Sequence, residues 1–357
     1  MSTKESSSNI LLLIIYFNLL FLSVSTQQGN QKNIFDETHL KHLKLKNRFF
    51  RGAVGENGFT YERIPEEIFK LYDQLSKNEV VNILTGFTIV SDYNPMPDIN
   101  HFRIDKDEYI PKYRKLVEMV HKNGANFFMQ IGHVGINVIQ NPETIYGPSS
   151  LPLPNKNKNS KEMTKEDILR IENDFAEGAL RAKKAGFDGI EIHGAHFYLV
   201  SDFLSPIYNK RTDEYGGSLL NRSRLTNEII RGMREALGED HIIAVRFGSY
   251  DYLDGGSRLE DIGEAVMSFE NSGVDLLDIS GGLCRFKNPL SKEPGWFKEL
   301  SKIARDASNC PVILTGGVKK IADAEALLEG GYADLIGIGR AMLMDAKWSR
   351  KALVGID

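Results

Sequence analysis

The chain has 357 residues, of which 41% are hydrophobic and 26% are charged, and its formal net charge is -4. This length allows one large domain or two ordinary ones. The balanced charge gives no sign of a basic face, so we expect no nucleic-acid partner. Two cysteines are too few for a secreted scaffold built on disulfides.

The first segment of the chain differs from the rest. Ile10 to Val24 reads ILLLIIYFNLLFLSV, which has the length of a signal-peptide core and is short for a membrane span. Ser23-Val24-Ser25 is a candidate cleavage site. We therefore predict a signal peptide or N-terminal anchor over 1–30, with any membrane contact only through residues 10–24. If this leader is functional, the protein enters the secretory pathway or is held at a membrane; otherwise it is cytoplasmic.

From about Leu43 onward, short β-branched runs alternate with amphipathic stretches. The strand candidates are Arg48–Val54, Val80–Val90, Asn126–Ile131, Gly189–His193, Ile242–Phe247, Leu276–Ser280, Val312–Thr315 and Leu335–Ile338. The helix candidates between them are Pro65–Lys77, Lys106–Asn123, Lys165–Ala185, Leu220–Leu237, Leu259–Ser272, Gly295–Ala307 and Ile321–Glu329, with a last helix near Ala341.

This alternation predicts an α/β fold with a parallel sheet, and the continuously apolar strands predict that both faces of the sheet are buried. Eight units in this length fit a closed (β/α)₈ TIM barrel, forming a single domain over residues 31–357. An open doubly wound sheet is the alternative. It normally carries a G-x-G-x-x-G first turn, which is missing here.

In such barrels the reacting groups lie at the carboxyl ends of the strands. Those ends carry no lysine for a Schiff base and no cluster of carboxylates for Mg²⁺. Gly316-Gly317 and Gly339-Arg340 follow the last two strands. Exposed backbone N–H groups and the arginine charge predict a phosphate cradle there.

Two further polar residues end buried strands. Arg246 closes the apolar run HIIAVRF, and it is either a structural ion pair or a cation that faces an anionic ligand. Gln130 ends FFMQ, and its amide offers a donor and an acceptor to a heterocycle edge or to a nearby loop.

His193, His196 and Tyr198 follow the fourth strand. An H-x-x-H pair can bind zinc, pack structurally or donate hydrogen bonds to an oxygen. Zinc requires a third ligand, and the nearest histidine by strand order is His133. Two imidazole N–H donors that converge on a carbonyl oxygen form an oxyanion hole, and a neighbouring phenol can deliver a proton. This combination suits reduction of a C=C bond conjugated to a carbonyl.

At these residues the sequence resembles a known family. GFDGIEIHGAHFYLVSDFLSPIYNKRTDEYGGSLLNRSR is similar to the signature of the Old Yellow Enzyme family, the FMN-dependent NADH:flavin oxidoreductases. Further similar stretches follow the same order and extend the resemblance over about Leu43 to Asp345; they are LKLKNRFFRGAV, FFMQIGHVG, AVRFG, VILTGGV and DLIGIGRAML.

The resemblance implies FMN as cofactor, NADH or NADPH as reductant and a small enone-type substrate. NAD(P)H stacks in the same pocket, so no Rossmann motif is needed. In this resemblance, backbone atoms of Ala53, Val54 and Gly86 contact the flavin, Gln130 binds its pyrimidine edge, and Arg246 lies near N1 and O2. The FMN phosphate is held by Gly316, Gly317, Gly339 and Arg340. Among the implied catalytic residues, His193 and His196 bind the substrate carbonyl. Tyr198 protonates Cα after hydride transfer from flavin N5 to Cβ.

The sequence also departs from the family pattern. The tail RGAVGENG of the first strand lacks the cysteine or threonine that many members place beside the flavin, and Ile136 stands where an arginine often follows the glycine. Lys77 to Asn82 also replaces a usually glycine-rich approach to the second strand. The changed ends of the first two strands leave open a degenerate barrel with weak or no turnover, and the histidine pair leaves open a metal-dependent barrel lyase. The sequence does not indicate an oligomeric state.

Overall fold

The computed structural model describes residues 33–56, 64–93, 102–138, 144–154 and 156–355. The leader predicted over residues 1–30 lies outside this range, together with its predicted membrane contact. Among the described residues, no helix combines the length and the apolar character needed to cross a membrane.

Eight parallel strands within the described residues form a closed barrel. They are β1 (Phe49–Arg51), β2 (Asn82–Leu84), β3 (Asn126–Gly132), β4 (Gly189–Gly194), β5 (Ile242–Gly248), β6 (Leu276–Ser280), β7 (Val312–Thr315) and β8 (Leu335–Ile338). Each strand pairs with its successor, and β8 pairs with β1 through Gly337 opposite Phe50. The predicted TIM barrel is confirmed.

Helices surround the strands, as the alternating pattern predicts. They are α1 (Glu66–Lys77), α2 (Ile110–Lys122), α3 (Lys165–Ala185), α4 (Arg224–Leu237), α5 (Asp261–Asn271), α6 (Lys298–Ala307), α7 (Ile321–Glu329) and α8 (Arg340–Met344). Shorter helical segments cover Asp107–Tyr109, Leu199–Leu204, Leu219–Arg222 and Trp348–Leu353.

The longest of these helices, α3, has the predicted bounds because both of its ends are specified locally. The Thr164 side chain accepts a hydrogen bond from the backbone of Asp167, whose carboxylate in turn accepts from the backbone of Thr164. At the other end Gly186 adopts a left-handed conformation with φ 101°, which stops the helix.

The predicted strand Val80–Val90 is divided in the structure. After β2 the chain leaves the barrel ladder, and Thr88–Ile89 forms a separate short strand beside the end of β3 and Phe102–Arg103. The break falls at Gly86, whose backbone N–H donates to the Glu56 carboxylate instead of to a neighbouring strand. A second short parallel pair joins Tyr146–Gly147 to Lys161–Glu162.

The barrel interior changes character along its axis. At the amino ends of the strands the inward residues, such as Phe128 and Ile242, form an apolar cluster. This cluster includes Leu40 and Leu45 of an antiparallel hairpin, Thr38–Leu40 with Leu43–Leu45. Side chains alternate along a strand, so the next inward layers toward the carboxyl ends contain the polar residues Gln130, Glu191, Arg246, Asp278 and Thr315. The site therefore lies at the carboxyl ends.

Candidate functional site

A cavity of about 740 Å³ opens at the carboxyl ends of the strands. Its lining brings together nearly all of the predicted site residues: Ala53, Val54, Gln130, His193, His196, Tyr198, Arg246, Gly316, Gly317, Gly339 and Arg340. Its lining also includes side chains that the sequence did not single out, among them Phe87, Asn137, Arg285, Phe286, Trp296 and Lys319.

Gly86 is the predicted site residue that does not line this cavity. A Cβ atom at position 86 would lie 2.7 Å from Glu56 Oε2 and 2.8 Å from the Val54 carbonyl oxygen. The glycine is therefore needed because the backbone after β1 packs directly against it. Gly86 thus packs against the Val54 carbonyl and the Glu56 carboxylate, and its predicted contact with the flavin stays a prediction.

Strand β4 and the turn after it hold the three candidate catalytic side chains against one wall. The ring centroids of His193 and His196 are 5.0 Å apart, and those of His193 and Tyr198 are 4.8 Å apart. His196 Nε2 lies 2.7 Å from Ser280 Oγ, and the Tyr198 ring stacks on Phe87 at 4.6 Å. His193 Nδ1 is buried and has no hydrogen-bond partner among the described residues.

Burial determines the protonation of these three side chains. It lowers the pKa of His193 and of His196 well below 6.5, and the positive charge of Arg246 lowers both further. Burial also raises the pKa of Tyr198 above 10.0. At neutral pH the wall therefore presents two neutral imidazoles, each with one N–H donor, and a protonated phenol.

His133 does not complete a zinc site with the pair. Its Nε2 lies 2.7 Å from the Tyr93 carbonyl oxygen, and its Nδ1 accepts a hydrogen bond from the Gly135 backbone at 3.1 Å. Burial lowers its pKa to about 4, so the ring is neutral. Within the part of the chain that the structure describes, no group of three His, Cys, Asp or Glu side chains is arranged to hold a metal ion. The metal-dependent alternative gains no support.

The floor of the cavity is a buried polar layer. Gln130 Nε2 donates to Glu191 Oε2 at 2.6 Å. Arg246 Nη1 donates to the Ala53 carbonyl at 3.2 Å, and its Nε lies 3.4 Å from Asp278 Oδ2. The sequence left open whether Arg246 serves an ion pair or faces a ligand. The structure shows the contact with Asp278 and places Arg246 in the cavity lining, and its contact with an anionic ligand stays a prediction.

The opposite end of the cavity is a cradle of glycines. Gly316 and Gly317 have φ angles of 150° and 75°, values that other residues rarely adopt. A Cβ atom on Gly317 would lie 2.6 Å from Trp296 Nε1, a buried N–H without a partner among the described residues. The Arg340 guanidinium stacks over the Trp296 ring at 4.7 Å. This set of donors and positive charge fits a phosphate group.

Trp296 is a site residue that the sequence analysis missed. It lies in the β6–α6 connection, well beyond the end of its strand. Tertiary hydrogen bonds bring it to the cradle, since the backbone N–H groups of Gly295 and Trp296 both donate to the Gly316 carbonyl, at 2.9 and 3.2 Å. No local pattern in the sequence indicates this contact.

Comparison with known proteins agrees with this geometry. Residues 33–357 match the family model of the NADH:flavin oxidoreductase / NADH oxidase family. The chain is 33% identical over 332 residues to an NADH oxidase of Thermoanaerobacter brockii, a match that covers 90% of this chain and 51% of that protein. It is 38% identical over 247 residues to an NADPH dehydrogenase of Halalkalibacterium halodurans, covering 69% of this chain and 71% of the relative.

Among solved structures, morphinone reductase has the same fold, with a TM-score of 0.78 and 22% identity over 93% of this chain and 92% of that chain. The chain spans about half the length of the Thermoanaerobacter NADH oxidase. The family match extends over the whole barrel and includes every residue of the candidate site. The chain therefore belongs to the NADH:flavin oxidoreductase / NADH oxidase family, the FMN-binding Old Yellow Enzyme family that its motifs resemble.

Proposed function

We propose that the protein is an ene reductase, an FMN-dependent oxidoreductase that uses NADH or NADPH to reduce the C=C bond of α,β-unsaturated carbonyl compounds. The observation that supports this most is the convergence of His193, His196 and Tyr198 on one wall of a cavity that also contains a phosphate cradle. Donors for a carbonyl oxygen and a proton donor thus share one site with the groups that suit a flavin nucleotide.

The chain's own groups divide into a phosphate end and a ring end. Gly316, Gly317, Gly339 and Arg340 would hold the FMN phosphate, and Trp296 would add an indole N–H donor. The remaining cofactor contacts would come from the Ala53–Val54 backbone, Gln130 and Arg246. When bound, FMN would supply the two-electron hydride chemistry that links oxidation of NAD(P)H to reduction at the β-carbon of the substrate.

The two histidines would bind the carbonyl oxygen of the substrate. Because His193 and His196 are neutral, each ring has one N–H. His196 would donate it from Nδ1, with its Nε2 accepting from the Ser280 hydroxyl. Hydride arrival at the β-carbon moves negative charge onto this oxygen, so the two hydrogen bonds strengthen as the barrier is crossed. Loss of one such donor costs on the order of 10²–10³ in rate.

Tyr198 would complete the reaction as the proton donor. Its raised pKa keeps the phenol protonated at neutral pH, although the nearby Arg285 charge opposes that shift. The phenol O–H bond breaks as a C–H bond forms at the α-carbon. The substrate has then gained a hydride at Cβ and a proton at Cα, which converts the double bond to a single bond.

The positions of two sequence departures support an active enzyme over a degenerate barrel. Ile136 is 4% exposed and packs in an apolar cluster with Phe87, outside the cavity lining. Ala53 and Val54 line the cavity, where they would contact the flavin through backbone atoms that any residue supplies.

Anaerobic absorbance spectroscopy tests the proposal. The purified protein should contain one flavin per chain, NADH or NADPH should bleach it, and 2-cyclohexenone should restore the oxidised spectrum without oxygen. A preparation that takes up no FMN would contradict the cofactor assignment. A bleached flavin that oxygen reoxidises but 2-cyclohexenone does not would contradict the substrate class.

A further inference from the structure

The cavity is lined by more positively charged side chains than the proposed reaction and FMN binding use. The lining contains the cationic side chains Arg246, Arg285, Lys319 and Arg340, and it contains no aspartate or glutamate from the described part of the chain. Lys319 and Arg340 follow β7 and β8 at the phosphate cradle, and Arg246 lies in the floor. Arg285 remains, with no role in holding FMN or in the proposed reaction.

Arg285 lies on the catalytic side of the cavity, in the connection that follows β6. Its Nη2 donates to Asn137 Oδ1 at 3.1 Å, and its guanidinium lies 6.0 Å from the Phe197 ring centroid. Its positive charge acts on its neighbours, because it lowers the pKa of His196 and opposes the rise in the pKa of Tyr198. Arg285 thus lies near enough to the side chains that would receive the substrate for its charge to influence their pKa values.

The guanidinium has hydrogen-bonding capacity to spare. It has five N–H donors, one of which bonds to Asn137, and Arg285 forms no ion pair with any residue that the structure describes. Its backbone has φ 61°, an uncommon value for a residue other than glycine, so this turn of the chain is specifically constrained. An arginine held at one end by an amide and open at the other is suited to a carboxylate or phosphate oxygen pair.

We propose that Arg285, positioned by Asn137, binds an anionic group of the substrate that is reduced, and that the preferred substrate is therefore an enone that carries a carboxylate. This inference rests on the proposed function, since the carbonyl at His193 and His196 fixes the end of the substrate opposite to the anion. NAD(P)H carries phosphates and is the other source of an anion in the same cavity.

A matched pair of substrates measures the anion's contribution. The probes are 3-oxocyclohex-1-ene-1-carboxylate and its methyl ester, which differ in charge at one position of the same ring. Arg285→Gln removes the charge, Arg285→Lys keeps a charge without the planar fork, and Lys287→Gln removes an exposed charge two residues further on, outside the cavity lining. Flavin reduction by NADPH and NADH is measured separately for every variant.

Arg285→Gln should lower kcat/KM for the carboxylate about tenfold and leave that for the ester within about twofold, because a charge-assisted contact at a solvent-exposed rim is partly screened. Arg285→Lys should retain part of the preference, and Lys287→Gln should behave as wild type. The preference of the wild-type enzyme for the carboxylate should also shrink as salt is raised.

Three results would overturn the assignment. Equal kcat/KM values for wild type and Arg285→Gln would show that the arginine contacts no substrate anion. An equal loss for acid and ester would assign Arg285 to the support of Tyr198 or His196. A loss confined to flavin reduction by NADPH or NADH would assign the anion to the nucleotide.

A binding measurement separates this inference from the proposed function. Calorimetric titration of the flavin-loaded protein with 4-formylbenzoate and with its methyl ester requires no turnover. Wild type should bind the acid about tenfold more tightly than Arg285→Gln does, with no difference for the ester. If neither 3-oxocyclohex-1-ene-1-carboxylate nor its methyl ester reoxidises the flavin, but the difference in acid binding persists, the proposed function fails and Arg285 remains an anion site. If the difference in acid binding is absent, the inference about Arg285 fails by itself.

Discussion

At the scale of single residues, burial sets the protonation of the reactive wall. His193 is 4% exposed, and desolvation disfavours its cationic form more than the nearby Arg246 does. The same effect retains the proton on the Tyr198 phenol. Burial thus explains both features of the wall: imidazoles that stay neutral and can donate a hydrogen bond to an oxygen that becomes negative, and a phenol beside them that can give a proton.

The first prediction concerns Tyr198. Tyr198→Phe should leave flavin reduction by NADPH within about twofold of wild type, and it should slow reoxidation by 2-cyclohexenone by about 10² or more, because the phenylalanine has no proton to give. Rapid-mixing spectroscopy of the two half-reactions measures both rates. Tyr208→Phe is the matched control, since Tyr208 packs on Phe197 and does not line the cavity. Equal slowing of both half-reactions in Tyr198→Phe would refute its role as proton donor.

The second prediction concerns Trp296. Trp296→Phe removes the unpartnered indole N–H at the cradle and keeps a ring for Arg340 to stack on. Hydrogen bonds to charged groups contribute about 1.5–3 kcal/mol, so the affinity for FMN should fall about tenfold or more. Quenching of FMN fluorescence on titration with the apoprotein measures this. Trp296→Leu should lose more affinity, and an unchanged affinity in Trp296→Phe would remove Trp296 from the phosphate site.

At the scale of secondary-structure elements, a buried network joins the parts that form one side of the cavity. Arg51 of β1 forms an ion pair with Glu56, and the Tyr72 hydroxyl of α1 donates to the same carboxylate at 2.7 Å. The other carboxylate oxygen accepts from Gly86, which follows β2, at 3.2 Å. A single carboxylate thereby ties two strand ends and a helix together below Val54.

The third prediction tests this network. Glu56→Gln should lower the free energy of unfolding by about 3 kcal/mol or more, because it leaves the Arg51 charge buried and unpaired. The matched control is Glu66→Gln, which breaks an exposed ion pair with Lys70 on α1 and should cost far less stability, because solvent screens that pair. Urea unfolding with excess FMN in every sample compares the two. Equal losses of stability would show that the buried ion pair contributes little.

Elements with local end signals could be predicted from the sequence, and elements fixed by tertiary contacts could not. Strands β6, β7 and β8 have the predicted bounds, as does α3 with its capping residues. The hairpin Thr38–Leu45 was missed because its turn contains Lys41 with φ 51° instead of the glycine or asparagine that normally indicates one. Likewise, β2 is shorter than predicted because Glu56, distant in sequence, takes the N–H of Gly86.

In the candidate site, too, some residues could be predicted from the sequence, and others are placed by tertiary contacts. The strand-end residues His193, His196, Gln130 and Arg246 were predicted, since the barrel topology itself brings strand ends together. Trp296 and Arg285 come from a long connection whose path depends on contacts with Gly316 and Asn137. Such contacts leave no periodic pattern in the sequence, so these two residues required the structure.

At the scale of the whole molecule, a buried carboxyl group in the barrel interior makes the free energy of unfolding depend on pH. Burial, together with the Asp278 carboxylate, raises the pKa of Glu191 from 4.5 to about 8. Between these two values the folded protein holds a proton that the unfolded chain releases. The stability associated with this proton is fully present below about pH 4.5 and is lost as the pH rises through about 8.

The fourth prediction follows from that linkage. The stability of wild-type protein relative to Glu191→Gln, which titrates no proton at this position, should fall as the pH rises from about 5 to about 8, while the buried histidines affect both proteins alike. Thermal unfolding at several pH values, with saturating FMN throughout, gives both slopes. Parallel slopes for the two proteins would mean that Glu191 has an ordinary pKa in the folded state.

The central claim is that one cavity binds FMN between the glycine cradle and the histidine wall. A crystal structure of the FMN-loaded protein tests it most directly. It should show the phosphate at Gly317 and Arg340, the pyrimidine edge at Gln130 and Arg246, and an open face of the ring toward His193 and His196. A flavin bound elsewhere on the barrel, or a ring turned so that the two histidines cannot reach a ligand stacked on it, would contradict the claim.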